Sequence, residues 1–201
     1  MRAHNRKTIL AVSVASALIS ASAFAEERNA YFGQTHQHTS WSLDAYLIGN
    51  TIAGPDQAYQ YSMGETIKHP VTGVDIKIKT PLDFQGVTDH SEYTRIMNLV
   101  NDSSSSFYKL PVAATLRPSK DNSMVQIFQR LAGSLAESKP IEALLDPQIV
   151  ESVWQSNNQI ADKYYKPGKF TTFCAYEWTS MPQNQNMHRN VFFKSCKGLP
   201  A

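Results

Sequence analysis

Four of the six histidines of this chain stand beside acidic residues or two residues apart, at spacings that suit metal coordination. A His-x-His pair is followed by an aspartate six residues later, another histidine directly follows an aspartate, and a glutamate precedes the last histidine by eleven residues. Imidazole and carboxylate together are the ligand set of Zn, Mn and Fe. We therefore predict a site for divalent metal ions. Its predicted ligands are His36, His38, Asp44, His90, Glu177 and His188.

Several of these residues also have structural explanations, which the sequence leaves open. His36 and His38 would suit an exposed strand, and Asp44 would suit a turn. Glu177 stands in an otherwise apolar stretch, where an unpaired carboxylate would be costly. It therefore requires a metal ion or a cation such as Arg189.

Residues beside these ligands are assigned supporting roles. Arg189 is predicted to bind an anionic substrate group through its planar guanidinium, with pairing to an acid as the alternative. Asp89 is predicted to cap the following helix or to orient His90. His188 would also suit a surface position, and His69, which precedes a proline, is assigned to a turn.

Periodicity places the predicted ligands near the ends of predicted strands. Strands are predicted over 31–38, 74–78, 82–87, 170–178 and 191–193, where apolar residues alternate or run continuously. Helices are predicted over 55–64, 124–135 and 147–164, where helical spacing or capping signals occur. This alternation favours an α/β fold with parallel core strands. Ligands at the C-terminal ends of strands are typical of the active sites of α/β barrels.

The first 25 residues have the three parts of a bacterial signal peptide. Three basic residues precede a mostly apolar stretch over 8–20, and Ala23-Phe24-Ala25 is a small-x-small cleavage site. Removal of this segment would leave 16 Lys and Arg against 17 Asp and Glu in residues 26–201. We therefore expect a periplasmic or secreted protein that binds no nucleic acid and spans no membrane after cleavage.

The two cysteines leave the question of a disulfide open. Export to an oxidising compartment favours a bridge between Cys174 and Cys196. Strand alternation argues against it, because Cys174 would face away from Glu177 while Cys196 would share the face of His188. A bulge would remove the conflict.

The segments around the predicted ligands resemble the DUF3604 family, which is related to the PHP (polymerase and histidinol phosphatase) metal-dependent hydrolases. The resemblance covers roughly residues 30 to 198. The motifs that carry it are Phe32-Gly33-Gln34-Thr35-His36-Gln37-His38-Thr39-Ser40, Leu43-Asp44-Ala45-Tyr46, Pro55-Asp56-Gln57-Ala58-Tyr59, Pro81-Leu82-Asp83-Phe84, Val87-Thr88-Asp89-His90-Ser91-Glu92-Tyr93, Tyr176-Glu177-Trp178-Thr179-Ser180 and His188-Arg189-Asn190-Val191.

This resemblance implies a distorted TIM-like barrel of the PHP type with two or three divalent metal ions. It also implies hydrolysis of phosphoesters or related esters of small molecules, by attack of a metal-bound hydroxide. In the PHP pattern, the His-x-His pair and the following Asp match His36, His38 and Asp44. The later ligands match His90, Glu177 and His188.

The PHP pattern also contains a later His and a C-terminal Asp-x-His, which have no counterpart after His188. We therefore expect this chain to be the N-terminal portion of a barrel that is incomplete at its C-terminus. Unpaired strand edges then predict low stability or self-association. The alternatives are a non-catalytic periplasmic metal-binding protein, an inactive fragment and, less well supported, an amidohydrolase.

Overall fold

A mixed α/β fold positions the predicted ligands. The computed structural model describes residues 28–199, so the predicted signal peptide lies outside the described residues. The described strands are β1 (Gly33–Gln34), β2 (Ile67–Lys68), β3 (Asp75–Ile76), β4 (Phe84–Gly86), β5 (Thr171–Ser180) and β6 (Met187–Phe193). Four of them form a curled half-barrel sheet in the order β1-β4-β5-β6, and β2 pairs with β3 in a separate hairpin.

The expectation of parallel core strands holds for three of the four strands in this sheet. β1, β4 and β5 are parallel, whereas β6 runs antiparallel to β5. Because β6 returns beside β5, the end of β5 and the beginning of β6 lie at the same edge of the sheet. This hairpin brings Glu177 and His188 to one place although eleven residues separate them.

The described α-helices are α1 (Leu43–Leu47), α2 (Pro55–Ser62), α3 (Ile96–Asn101), α4 (Met124–Ala136) and α5 (Pro147–Tyr164). The two longest begin at recognisable local signals. Asp146 caps α5, because its side chain accepts hydrogen bonds from the backbone N–H groups of Gln148 and Ile149. Ser123 and Gln126 form a capping box at the start of α4. No helix in the described part of the chain is long and apolar enough to cross a membrane.

Two apolar clusters hold these elements together. The first joins α1, α3 and α4, and its fully buried members include Val100, Ile127 and Leu131. The second lies between α2, α5 and the sheet, around Tyr59 and Cys174. The sheet therefore packs on α5 through one face, which we call the helix face.

The opposite face of β5 and β6 carries the predicted ligands, and we call it the site face. Glu177 pairs with Asn190 and Thr179 pairs with His188, so these four side chains share the site face. Farther along the site face, the ring of Phe192 in β6 lies close to Gly86 in β4. A Cβ atom at Gly86 would lie 2.7 Å from a ring carbon of Phe192, so this packing requires glycine.

Three predicted strands are shorter in the structure than their sequence patterns indicated, and one of them, 82–87, contributes only Phe84–Gly86. The stretch 31–38 contributes only Gly33–Gln34 to the sheet, because beyond it the chain contacts β4 through single bonds, such as Thr88 N–H to Gln37 O at 2.9 Å. The alternating stretch 74–78 contributes only Asp75–Ile76. Val74 is exposed there, so the alternation does not mark a buried face.

The two cysteines form a disulfide, with their Cα atoms 5.4 Å apart. Strand alternation would oppose a bridge only if β6 continued to Cys196. In the structure β6 ends at Phe193 and the chain bends, so alternation no longer determines the direction of the Cys196 side chain.

Candidate metal centre

The buried carboxylate of Glu177 lies among four imidazoles. Its Oε1 is 3.0 Å from His36 Nε2, and its Oε2 is 3.1 Å from His38 Nε2. The same Oε2 lies 3.2 Å from His90 Nδ1 and 3.6 Å from His188 Nδ1. Glu177 is only 2% exposed, and a buried carboxylate requires compensation by cations or hydrogen-bond donors. The four imidazoles around Glu177 can provide this compensation.

Backbone contacts between the ends of the parallel strands fix this arrangement. His90, just after β4, forms an isolated parallel bridge with Glu177 of β5. The N–H of Glu177 donates to Asp89 O at 3.0 Å, and the N–H of Ser91 donates to Glu177 O at 2.8 Å. His36 and His38 reach the same place from the segment after β1.

Asp44 approaches the cluster from the first turn of α1. Its Oδ2 is 2.8 Å from His38 Nδ1 and 3.8 Å from His90 Nε2. Burial opposes ionisation of Asp44, but hydrogen bonds from His38 and Ser42 outweigh it and hold the pKa of this carboxyl well below its usual range. Burial also disfavours the charged form of His38, yet Asp44 raises the net pKa of that imidazole. The two side chains therefore form a charge-assisted pair.

All six predicted ligands fall into three overlapping groups of donors that could hold a metal ion. Within each group the candidate ligand atoms lie within 4.8 Å of one another. The groups are His36–His38–Glu177, His38–Asp44–His90 and His90–Glu177–His188. Ligand atoms about 2.1 Å from a shared ion lie roughly 3.0–3.4 Å apart. The 3.0, 3.1 and 3.2 Å separations among His36, His38 and Glu177 suit such an ion.

The protonation of each imidazole determines which of its nitrogens could bind a metal ion. A neutral imidazole has one nitrogen that accepts and one that donates. If His38 donates Nδ1–H to Asp44, its Nε2 remains available toward His36 and Glu177. A carboxylate that orients a metal-binding histidine in this way is common in metal sites. With Asp44 as the acceptor of that hydrogen bond, Nε2 of His38 could join His36 and Glu177 in holding a metal ion.

Thr179 is a member of the site that the sequence analysis did not identify. Its hydroxyl oxygen lies 3.0 Å from His90 Nδ1 and 3.1 Å from His188 Nδ1. The available signal was its position two residues after Glu177, which places both side chains on one strand face.

Burial lowers the pKa of His90, so this imidazole is suited to remain neutral.

Asp89 binds the loop that carries His38 to the end of β4. Its carboxylate accepts hydrogen bonds from the Thr39 N–H at 2.5 Å and the Thr39 hydroxyl at 2.7 Å. Burial raises the pKa of Asp89 to about 6, although both hydrogen bonds oppose that shift. The Asp89 side chain thus accepts hydrogen bonds from the loop at Thr39. The prediction that it caps the following helix is wrong.

Arg189 lies on the helix face of β6, opposite Trp178, whereas its neighbour His188 is on the site face. Its guanidinium donates a hydrogen bond to His188 O at 2.9 Å. The ion pair with Glu177 considered from the sequence is not formed. A role for Arg189 in substrate binding stays a prediction, without support from this position.

His69 forms the turn to which the sequence assigned it. Its Nδ1 accepts hydrogen bonds from the N–H groups of Val71 at 3.2 Å and Thr72 at 3.1 Å. This histidine is separate from the ligand groups.

Fold and site together define a mixed α/β protein with a curled half-barrel sheet, in which histidine and carboxylate side chains form a cluster that could bind metal ions. The family model described as "Protein of unknown function (DUF3604)" matches residues 25–200, and the chain belongs to that family. No curated protein and no solved structure gives a significant match.

Proposed function

We propose that this chain is a metal-dependent hydrolase of the PHP-like class, built on a TIM-like barrel, that acts on phosphoesters or related esters of small molecules. The observation that carries the proposal is the position of Glu177, a buried carboxylate shared by four imidazoles. A structural ion pair would not need four histidines. A carboxylate shared between two ions does need several neutral donors around it.

Two groups of side chains would hold the ions. His36, His38 and Glu177 would bind one, and His90, Glu177 and His188 the other. Zn, Mn and Fe all suit this donor set. Divalent ions in such a site would polarise the ester and lower the pKa of water.

The exposure of the ligands indicates the side from which a substrate would approach. The side chain of Glu177 is only 3% exposed, whereas those of His36 and His188 are 59% and 36% exposed. Glu177 therefore forms the floor of the cluster, and His36 and His188 lie at its opening. The hydroxyl of Thr179 lies between the Nδ1 atoms of His90 and His188, at 3.0 and 3.1 Å.

Metal content and hydrolysis, measured on the same samples, test this proposal. The chain would be purified without chelators, analysed by plasma mass spectrometry and assayed with bis(p-nitrophenyl) phosphate. We expect bound Zn, Mn or Fe together with hydrolysis, and loss of both in Glu177→Gln. Glu137→Gln removes the same charge at an exposed position directly after α4 and serves as the control.

The outcomes separate the alternatives. Metal binding without hydrolysis of any ester would favour a non-catalytic metal-binding protein. A folded chain that binds no metal at micromolar concentration would refute the proposal and favour an inactive fragment.

Export and self-association belong to the same proposal. Export is supported by the pattern of residues 1–25, and a periplasmic product that begins at Glu26 would support it.

Self-association is supported by β1 and β6, each of which has one neighbour within the described sheet. Sedimentation velocity would reveal it, and a monomer at high concentration would contradict it.

A further inference from the structure

A recess lies behind the candidate metal centre, on the helix face of β5. It has a volume of about 670 Å³ and lies between the sheet, α5 and the segment that follows His90. Tyr176 lines it and alternates along the strand with Glu177, so this wall of the recess lies on the face of β5 opposite Glu177. Its volume falls within the range, roughly 300–1,000 Å³, that ligand sites occupy.

The walls of this recess are mainly apolar and aromatic. Its lining includes Tyr93, Ile96, Leu144, Val150, Tyr176 and Phe193. An apolar body of ligand size would therefore gain by leaving water for this recess. Apolar walls alone do not define the ligand, so the polar groups must decide its chemistry.

Two buried polar atoms in the lining have no hydrogen-bond partner among the described residues, and both are acceptors. They are Oε2 of Glu92 and Oδ1 of Asn157. The other polar atom of each side chain is engaged: Glu92 Oε1 accepts from the Thr179 N–H at 3.0 Å, and Asn157 Nδ2 donates to Ala175 O at 3.2 Å. These bonds orient the side chains and leave one acceptor of each unpaired. Buried acceptors of this kind normally have partners.

The charges around the recess have a single sign. Its lining contains the carboxylates of Asp89, Glu92 and Glu151 and no lysine, arginine or histidine. Asp89 is already bonded to Thr39, so Glu92 is the buried carboxylate that lacks a donor for one oxygen. The aromatic rings of the lining also attract cations through their faces.

We propose that this recess binds an amphiphilic primary amine. Its apolar body would occupy the aromatic walls, and its ammonium group would donate to Glu92 Oε2. The ammonium group has three donors, so Asn157 Oδ1 offers a second acceptor for the same head group. The recess adjoins the proposed hydrolytic centre through Asp89 and through the bond between Glu92 and Thr179, but binding of the amine does not depend on hydrolysis.

Calorimetric titration of the full chain with n-decylamine tests the proposal at neutral pH, below the concentration at which the amine forms micelles. We expect saturable binding of one amine per chain and at least tenfold weaker binding in Glu92→Gln. That variant keeps the Oε1 acceptor for Thr179 and replaces the charged Oε2 acceptor by an amide NH2 group, which donates. Glu65→Gln removes the same charge at an exposed position outside the recess and should bind as the natural sequence does.

A second variant tests the location without touching the charge. Val150 lines the recess and is half exposed, so Val150→Trp can fill the space without disturbing a buried core. We expect it to abolish binding of decylamine while leaving the thermal unfolding midpoint close to that of the natural sequence.

Decanoate and decanol serve as probes that share the apolar chain and lack the ammonium group. Equal binding of decanoate and decylamine would overturn the assignment of a cation. Absence of saturable binding, or binding unaffected by both Glu92→Gln and Val150→Trp, would overturn the assignment of the site.

Discussion

Reduction of the disulfide between Cys174 and Cys196 should lower the free energy of unfolding by about 3 kcal/mol. The bridge joins β5 to the segment beyond β6 and closes a loop across a sequence separation of 22 residues. A cross-link stabilises mainly by restricting the unfolded chain, and the loop-entropy relation for a loop of this length gives that value at 25 °C.

Reduction is a cleaner perturbation here than substitution of Cys174. That residue is fully buried in the cluster around Tyr59, so Cys174→Ala would add the cost of a cavity to the loss of the bridge. Reduction leaves both sulfur atoms in place. Cys196 is only partly buried, and Cys196→Ala therefore provides a permanently unbridged control.

Urea unfolding followed by tryptophan fluorescence, with and without a phosphine reductant, measures the effect. We expect the reductant to lower the midpoint of the natural chain and to leave the midpoint of Cys196→Ala unchanged. A difference below about 1 kcal/mol between the oxidised and reduced chains would show that loop closure is not the source of stability assumed here.

Four further substitutions test the core, the surface and the site. Leu131→Ala should cost about 2–5 kcal/mol in urea unfolding because this side chain is fully buried, and Phe128→Ala on the same helix should cost less because Phe128 is 45% exposed. Lys163→Met should leave the unfolding midpoint nearly unchanged, because its ion pair with Asp56 is exposed to solvent. Asp89→Asn should weaken metal binding roughly 10–100-fold in a competition titration, because its charge holds the loop that carries two ligands.

Each of these expectations has a clear contrary result. Equal losses for the two α4 variants would mean that the helix packs through a different face. A large effect of Lys163→Met would mean that the ion pair is part of a wider network. Unchanged metal affinity in Asp89→Asn would mean that the loop is held by its other contacts.

Elements with strong local signals were predictable from the sequence. Asp146-Pro147 supplies a cap and a first-turn proline, and α5 begins there. The helical spacing of apolar residues likewise predicted α4. Short strands were harder to bound, because a residue pairs only where a neighbouring strand runs beside it. The stretch 31–38 leaves β4 after Gln34, and nothing in its own residues marks that point.

The types of donor in the candidate site were predictable, but their geometry was not. Spacing next to carboxylates identified six side chains that the structure brings together. That Glu177 is shared by four imidazoles depends on the order of the strands. The bonds from Thr39 to Asp89 span 50 residues and belong to no local pattern. Long-range contacts of this kind require the fold itself.

The register of β5 with β6 determines where the chain can tolerate a change in length. An inserted residue within 181–186 would fall in the connection, which can lengthen at small cost. An insertion between Arg189 and Phe193, with Phe193 still opposite Cys174, would instead shift the preceding part of β6 by one residue and exchange its two faces. Arg189 would then lie opposite Thr179, and the imidazole of His188 would be removed from Glu177. Among related sequences, this hairpin should therefore vary in the length of its connection while the spacing within β6 remains constant.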